Sequence, residues 1–487
     1  MAIPSSGVIR SNIPARMDRL PWSRWHWRVV IALGITWVID GLEATLIGAV
    51  SPVLLKKETL HFRTDQLGLL TTSYLVGAVL GALVFGYLTD KLGRKKLFTV
   101  TLGLYLVSAF LTAFSWNFWS FAVFRFFTGA GIGGEYSAIN SAIDELIPAR
   151  VRGRVDLAIN GTFWLGFAFG AFASLLILDE RIFRVDLGWR MGFSIGALLG
   201  LVIIFFRKHI PESPRWLLTH GYPEEAERVV AEIERAIEAA PGAAKLPEAD
   251  HWVSLKPHGP VGFGLIARTM IQTYPSRTAL GLALVISQAF LYNGMTPMFA
   301  TILTKYFHVA DDRAGLYLVP FALGNFLGPL LLGPLFDSWG RKPMIAGTYT
   351  VSAVLLSVTG YLFAYGHLTT VTQTVLWALI FAFASAAASS AYLTVSEIFP
   401  VEMRGMSIAL FYSVGTAIGG WCAPWMFGHL IARGRHQLFY GYLATSGVLL
   451  ATVVVVLLFG VKAERSSLED VARPLSSADE PTRLAAS

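Results

Sequence analysis

Gly86-Tyr-Leu-Thr-Asp90-Lys-Leu-Gly93-Arg94-Lys95 recurs as Gly333-Pro-Leu-Phe-Asp337-Ser-Trp-Gly340-Arg341-Lys342, displaced by 247 residues. A second pattern follows each copy in the same order. Glu145-x-x-Pro148-x-x-x-Arg152-Gly153 is echoed by Glu397-x-x-Pro400-x-x-x-Arg404-Gly405, displaced by 252. Two different motifs recurring in one order at nearly one offset mark a duplicated unit.

The chain around these loops is apolar. Of 487 residues 54% are apolar and only 15% charged, and the mean hydropathy is +0.56. A soluble domain carries about 25% charged residues. A membrane-spanning helix needs roughly 20 mainly apolar residues. Twelve stretches qualify, near 29–52, 68–89, 97–114, 118–143, 155–178, 189–206, 279–304, 314–336, 343–364, 371–395, 405–430 and 440–461. These are spans 1 to 12, and the repeat divides them six and six. The expected fold class is an all-α membrane protein of two pseudo-symmetric six-helix bundles.

Lys and Arg in the loops orient such a chain. With both termini in the cytoplasm, 28 basic residues fall in cytoplasmic segments and 9 on the other side. This asymmetry accounts for the net charge of +7 without a nucleic-acid partner. Arg10, Arg16, Arg19, Arg24 and Arg28 precede a first apolar stretch too long for a cleaved signal, so that stretch is expected to be retained. The expected organisation is a cytoplasmic segment at 1–28, a bundle at 29–206, a cytoplasmic linker with short helices at 207–278, a second bundle at 279–461 and a mobile polar tail at 462–487. A single cysteine, Cys422, leaves no cysteine-based metal site or internal disulfide, and no metal or other cofactor is expected.

Glycines in the duplicated loop permit a tight turn and close helix approach. Asp90 and Asp337 end descending helices, where Arg94 and Arg341 can reach neighbouring carboxylates. Glu145, Arg152, Glu397 and Arg404 lie on the same face. These eight charges read as a cytoplasmic gate latch, or as charges that fix loop topology. Carboxylates contribute little to topology, which favours the latch.

Ionisable groups inside a membrane are costly and mark a pathway, a relay or a charge pair. Span 1 holds Asp40 and Glu43 on one helix face, and span 4 holds Arg125 and Glu135. At 1.5 Å per residue, Glu43 and Arg125 lie about 13 and about 10 Å from the outer ends of their spans, which puts them within pairing range. A carboxylate beside a guanidinium whose surroundings open and close can couple proton binding to that cycle. A permanent structural ion pair is the alternative.

The arrangement resembles the major facilitator superfamily over nearly the whole chain. The duplicated Gly-x-x-x-Asp-x-x-Gly-Arg-Lys loop is that superfamily's signature, and parallel repeats are typical of such transporters. Pro211-Glu212-Ser213-Pro214-Arg215-Trp216-Leu217 resembles the sugar-porter branch. Gly41-Leu-Glu43 is similar to the Gly-x-acid of proton-coupled sugar porters, and Arg125-x-x-x-Gly129-x-Gly131-x-Gly133 to their span-4 arginine motif. Asp40-Gly-x-Glu43 also resembles a motif of aromatic-acid:proton symporters. Gly133-Gly134-Glu135-Tyr136 is similar to a span-4 motif of organic-acid and sialic-acid type symporters. The resemblance implies a second proton site at Asp40 or Glu135, with local helix packing as the alternative.

The pocket departs from the sugar porters. Gln288-x-x-x-x-Asn293 keeps a sugar-binding spacing, but Phe290 replaces a small polar residue, and Asn160-Gly161-Thr162 and Ala168 stand where sugar porters place glutamines. Tyr392-Leu-Thr394 replaces the Gly-Pro-x-Pro-Trp run of span 10. A sugar must be held by many polar contacts in place of water, so an aromatic-rich pocket suits an organic acid slightly better. Trp164, Gln288, Tyr292, Asn293, Asn325, Tyr392 and Trp421 are the candidate lining groups.

The expected function is secondary active transport, not an enzymatic reaction. Proton-coupled symport of a small polar metabolite leads; a uniporter, an exchanger or a non-transporting membrane sensor are the alternatives. The expected partners are the small-molecule substrate, protons and the lipid of the cell inner membrane, and the chain is expected to act as a monomer. No Gly-x-x-x-x-Gly-Lys-Ser/Thr loop is present to bind ATP.

Overall fold

In hydrocarbon, backbone N–H and C=O groups find partners only within a helix or a closed barrel. The apolar stretches accordingly form helices. The computed structural model describes residues 7–207, 210–241, 245–256, 261–309 and 315–477. Spans 1 to 6 are Arg24–Val50, Thr64–Leu92, Arg94–Thr112, Phe118–Leu146, Arg152–Ile177 and Val185–Arg207. Spans 7 to 12 are Pro275–Phe307, Leu318–Ser338, Arg341–Ala364, Thr370–Glu397, Arg404–Arg433 and Arg435–Phe459.

Among the described residues, eleven helices are long and apolar enough by composition to cross a membrane. Span 4 is the twelfth. It is 29 residues long, but Arg125, Glu135, Asn140 and four glycines lower its hydropathy. The glycines set packing instead. A Cβ on Gly129 or Gly133 would collide with backbone of span 2 at Tyr74 or Ala78, so these positions let the two helices meet backbone to backbone.

Packing follows the duplication. Spans 1 and 5, 2 and 4, and 3 and 6 pair in the first half; 7 and 11, 8 and 10, and 9 and 12 pair in the second. The halves join through spans 2 and 11 and through spans 5 and 8, which exchange under the same pseudo-twofold.

Below the bundles, on the face carrying both duplicated loops, lies a small extra layer. Strand β1 (Ile9–Ser11) pairs antiparallel with β2 (Val253–Leu255). Helix Pro223–Glu238 buries Ala226, Val230, Ile233 and Ile237 and turns most of its charges outward, as its spacing predicts. The tail corrects one expectation. Up to Ser477 it is packed, not free: Glu402 accepts hydrogen bonds from Leu475 N (3.1 Å) and Ser476 N (3.0 Å), and Arg215 Nε holds Glu469 Oε1 at 2.9 Å. A buried carboxylate and a buried guanidinium that need partners secure a segment whose composition alone reads as mobile. Residues 478–487 of the expected mobile tail lie outside the described residues.

Candidate functional site

The eight latch charges come together as two copies of one cluster. In the first, Glu145 Oε1 accepts from Arg94 Nη2 at 2.9 Å and from Arg404 Nη1 at 3.0 Å. In the second, Glu397 accepts from Arg341 Nε and Nη2 at 3.1 Å each, and from Arg152 Nη1 at 3.5 Å. Each glutamate therefore bridges an arginine from its own half and one from the other. Asp90 and Asp337 do the same with backbone. Asp90 accepts from Gly405 N (3.1 Å) and Met406 N (2.8 Å) at the start of span 11. Asp337 accepts from Gly153 N (3.0 Å) and Arg154 N (2.9 Å) at the start of span 5. A carboxylate at a helix N-terminus satisfies free N–H groups and meets the positive end of the helix dipole. A Cβ on Gly405 would stand 2.9 Å from Asp90 Oδ1, which is why the motif ends Arg-Gly.

The turn between Asp90 and Arg94 needs Gly93, whose φ is +96°, and its counterpart Gly340 has φ +105°. Both glycines let a carboxylate approach the next helix. Glu212 accepts from Arg94 N at 2.9 Å and Lys95 N at 3.2 Å; Glu464 accepts from Arg341 N at 3.5 Å. Glu464 follows Glu212 by 252 residues, the offset of the second motif. The echo is hidden in sequence because the prolines of the first copy are missing from the second. Burial pushes the Glu212 carboxyl above the usual glutamate range, against the backbone N–H groups and Arg94 that lower it. All eight latch side chains are buried, so this face is closed.

Above the latch, between the halves, is a cavity of about 280 Å3. Trp164, Gln288, Tyr292, Asn293 and Tyr392 line it, as expected from sequence. Asn325 stands behind the wall and accepts from Tyr292 Oη at 2.7 Å. Trp421 is a correction: it is 75% exposed. Tyr412 and Thr416 line the cavity and set the inward face of span 11 at a spacing of four; position 421 is turned away from that series by the 100° step of the helix. Sequence reading missed Trp37, Tyr74, Tyr136, Asn160, Phe163 and Tyr412 as lining groups. The spacing of four that joins Asn160 to Trp164 was the available signal.

The wall is an aromatic cage built from both halves. Trp164 stacks on Tyr292 with centroids 5.4 Å apart, and Tyr136 stacks on Tyr412 at 4.7 Å. Tyr392 Oη donates to Gln288 Oε1 at 3.2 Å. Among the described lining residues none is charged.

The charged pair lies behind this wall. Arg125 Nη1 binds Glu43 Oε1, and both side chains are almost fully buried. The guanidinium also sits over the ring of Tyr74, 4.8 Å from its centroid, which places the lining residue Tyr74 between the cavity and the pair. Asp40 and Glu135 are buried too, and neither lines the cavity. Tyr105, a buried residue of span 3, lies within electrostatic reach of Glu43, Asp40 and Glu135 together.

The description "Sugar (and other) transporter" fits residues 23–475. The niacin transporter NiaP of Acinetobacter baylyi is 27% identical over 467 residues, covering 94% of this chain and 99% of that protein. The 4-hydroxybenzoate transporter PcaK of the same organism is 24% identical, covering 88% and 91%. Among solved structures, the proton:xylose symporter XylE bound to 6-bromo-6-deoxy-D-glucose superimposes with a TM-score of 0.73 at 17% identity, covering 92% of this chain and 98% of that one. The duplicated motifs, the paired six-helix bundles and these likenesses agree: the chain belongs to the sugar (and other) transporter family, with the twelve-helix fold of the major facilitator superfamily.

Proposed function

We propose that this transporter is a proton-coupled symporter of a small aromatic organic acid, working by alternating access in a bacterial inner membrane with the latch face and both termini in the cytoplasm. The observation that carries the reading is the buried Glu43–Arg125 pair standing behind Tyr74, one residue away from an uncharged aromatic cavity. Among the described lining residues no charged group neutralises a substrate carboxylate. A substrate anion that enters with a proton adds no net charge to the cavity, which avoids the cost of an unpaired buried ion. Flat aromatic walls suit a ring through offset stacking, and relatives named for niacin and 4-hydroxybenzoate transport are consistent with that chemistry. The orientation rests on the excess of basic residues on the latch face.

A second reading has its own observation. Aromatic cages also hold organic cations, and the lining residue Tyr74 lies within electrostatic reach of two carboxyls, Asp40 and Glu43, beside the guanidinium of Arg125. The test is solute-driven proton movement in proteoliposomes, with nicotinate, 4-hydroxybenzoate, xylose and a quaternary ammonium compound supplied in turn. Alkalinisation of the outer medium on adding an aromatic acid is the expected result. Uptake without proton movement refutes coupling, and uptake of only the sugar or only the cation refutes the substrate class.

A further inference from the structure

The latch is built twice, but its surroundings are not. At the offset of 252, Asp144 corresponds to Ser396, Asp156 to Ile408, Asn140 to Tyr392 and Asn160 to Tyr412. The first half therefore carries two carboxyls that the symmetric latch does not require.

Their placement is ordered. Tyr136, Asn140 and Asp144 are spaced by four along span 4, as are Asp156, Asn160 and Trp164 along span 5, so each set shares one helix face. The two columns touch: Asn160 Nδ2 donates to Asp156 Oδ2 at 3.1 Å and to Asn140 Oδ1 at 3.4 Å. At one end Tyr136, Asn160 and Trp164 line the cavity. At the other, Asp144 Oδ2 lies 4.0 Å from Arg404 Nε, which itself donates to Ser396 O at 2.6 Å. Asp144 and Asp156 are fully buried, and Asp156 Oδ1 has no hydrogen-bond partner among the described residues.

Charge makes this arrangement unusual. The eight latch groups are four guanidiniums and four carboxylates, neutral as a set. Asp144 and Asp156 add two negative charges. Asp156 faces Asp144 of span 4, Glu397 of span 10 and Arg341 of span 9; Asp337 of span 8 sits at the first turn of span 5, the helix that carries Asp156. Span 1 brings Val29, Ala32, Leu33 and Trp37, none of them charged, to the apolar cluster holding Val155 and Ile159. Asp144 faces Arg404, Glu397 and Arg152. The nearby guanidiniums are already committed, Arg341 to Asp337 and Glu397, Arg152 to Glu397 and Asp18, and Arg404 to Glu145, with Asp144 only at 4.0 Å. Asp156 has no ion pair among the described residues and Asp144 only the 4.0 Å contact with Arg404; a buried carboxyl so poorly compensated is resolved most cheaply by taking up a proton.

We propose that Asp156 and Asp144 form a proton site between the transport cavity and the latch, loaded while the latch is shut and emptied to the cytoplasm when it opens. This rests on the orientation proposed above. The proton reaches Asp156 from cavity water beside Asn160, bonds to Oδ1 and leaves a neutral carboxyl. When the latch parts, that O–H bond breaks to cytoplasmic water, and the returning carboxylate faces guanidiniums freed from Glu145 and Glu397. Asn140 and Asn160 do not titrate; they position the carboxyls.

The test reads latch closure directly. Spin labels at Lys91→Cys and Ser338→Cys, in a Cys422→Ser background of the full chain in nanodiscs without solute, report the separation of the two halves. From about pH 5 to about pH 8 the closed-to-open ratio is expected to rise as pH falls, by up to about tenfold per pH unit for one linked proton. Asp156→Asn and Asp144→Asn should flatten this to less than about twofold, while Glu43→Gln keeps it. Asp156→Ile and Asp144→Ser, which install the second half's residues, provide an independent pair should an amide variant fold poorly. An unchanged slope in the Asp156 variants overturns the proposal, as does a parent protein with no slope. A parent without solute-driven proton movement whose slope Asp156→Asn removes would defeat the coupling reading and leave this site standing.

Discussion

Arg404, in the first turn of span 11, reaches across the pseudo-twofold to Glu145 at the end of span 4, with 3.0 Å between Nη1 and Oε1. Arg94 of span 3 holds the same oxygen at 2.9 Å. One buried carboxylate thus belongs to both halves, and Glu397, its counterpart under the pseudo-twofold, repeats the arrangement. The closed face is held by charges whose partners lie partly in the other half, so separating the halves removes part of each charge's satisfaction and lets in the water that replaces it.

Glu145→Gln or Glu397→Gln leaves guanidiniums buried without their full counter-charge. Breaking a buried pair from one side costs roughly 3–5 kcal/mol, and opening relieves most of it. The expected outcome is a shift towards the cytoplasm-open state. A thiol at Ser137→Cys, in a Cys422→Ser background, reads it: Ser137 is fully buried beside Gly86 and should be labelled by an impermeant reagent from the cytoplasmic side at least about tenfold faster, given a penalty of that size. Equal labelling rates would mean that the cluster does not hold the latch shut.

Glu43→Gln removes the carboxylate partner of Arg125 without changing shape. Solute counterflow, which needs no net proton movement, should persist within a fewfold of the parent, whereas accumulation driven by an inward proton gradient should disappear. A Glu43→Gln protein that still concentrates solute would assign the pair a structural role.

Trp164→Ala removes one face of the stack with Tyr292. Aromatic stacking contributes about 0.5–1.5 kcal/mol beyond area burial, so KM for an aromatic acid should rise roughly 2–10-fold or more, with little effect on a sugar. Tyr292→Phe removes the 2.7 Å hydrogen bond to Asn325, worth about 1 kcal/mol net, and should raise KM by about fivefold. Parallel uptake assays on both solute types decide it.

Glu469 anchors the tail through Arg215. Burial opposes its ionisation, but the Arg215 guanidinium, the helix backbone and Arg404 together hold the carboxyl below the usual glutamate range. A depressed carboxyl contributes stability above its unfolded pKa and loses it as pH falls through the folded value, hence on the acid side of about 4.3. Limited proteolysis of the tail should therefore accelerate below about pH 4. Glu469→Gln should show the fast rate at neutral pH as well, with less dependence on acid.

Much of this molecule was legible without coordinates, for a physical reason in each case. The duplicated loops demanded Gly93 and Gly340 at positive φ, and only glycine adopts that geometry without strain. Glu43 and Arg125 were pairable from depth alone, because a helix converts residue number into ångströms. Asn325 and Trp421 show where that conversion stops. Depth does not tell which way a side chain points around its helix, and Trp421 is a step away from the inward series of Tyr412 and Thr416.

The amino-acid order by itself determined the twelve spans, their six-and-six duplication and the charges of the latch, because hydrophobic length and repeated turn chemistry are local properties. The tertiary structure alone decided which charges touch. That Asp90 meets span 11 and Asp337 meets span 5, that Glu464 repeats Glu212, and that Asp156 lies between the cavity and the latch all depend on helices hundreds of residues apart packing at one depth and rotation. Burial then turns those contacts into energies, since a charge taken out of water must find its partner, or its proton, within the fold.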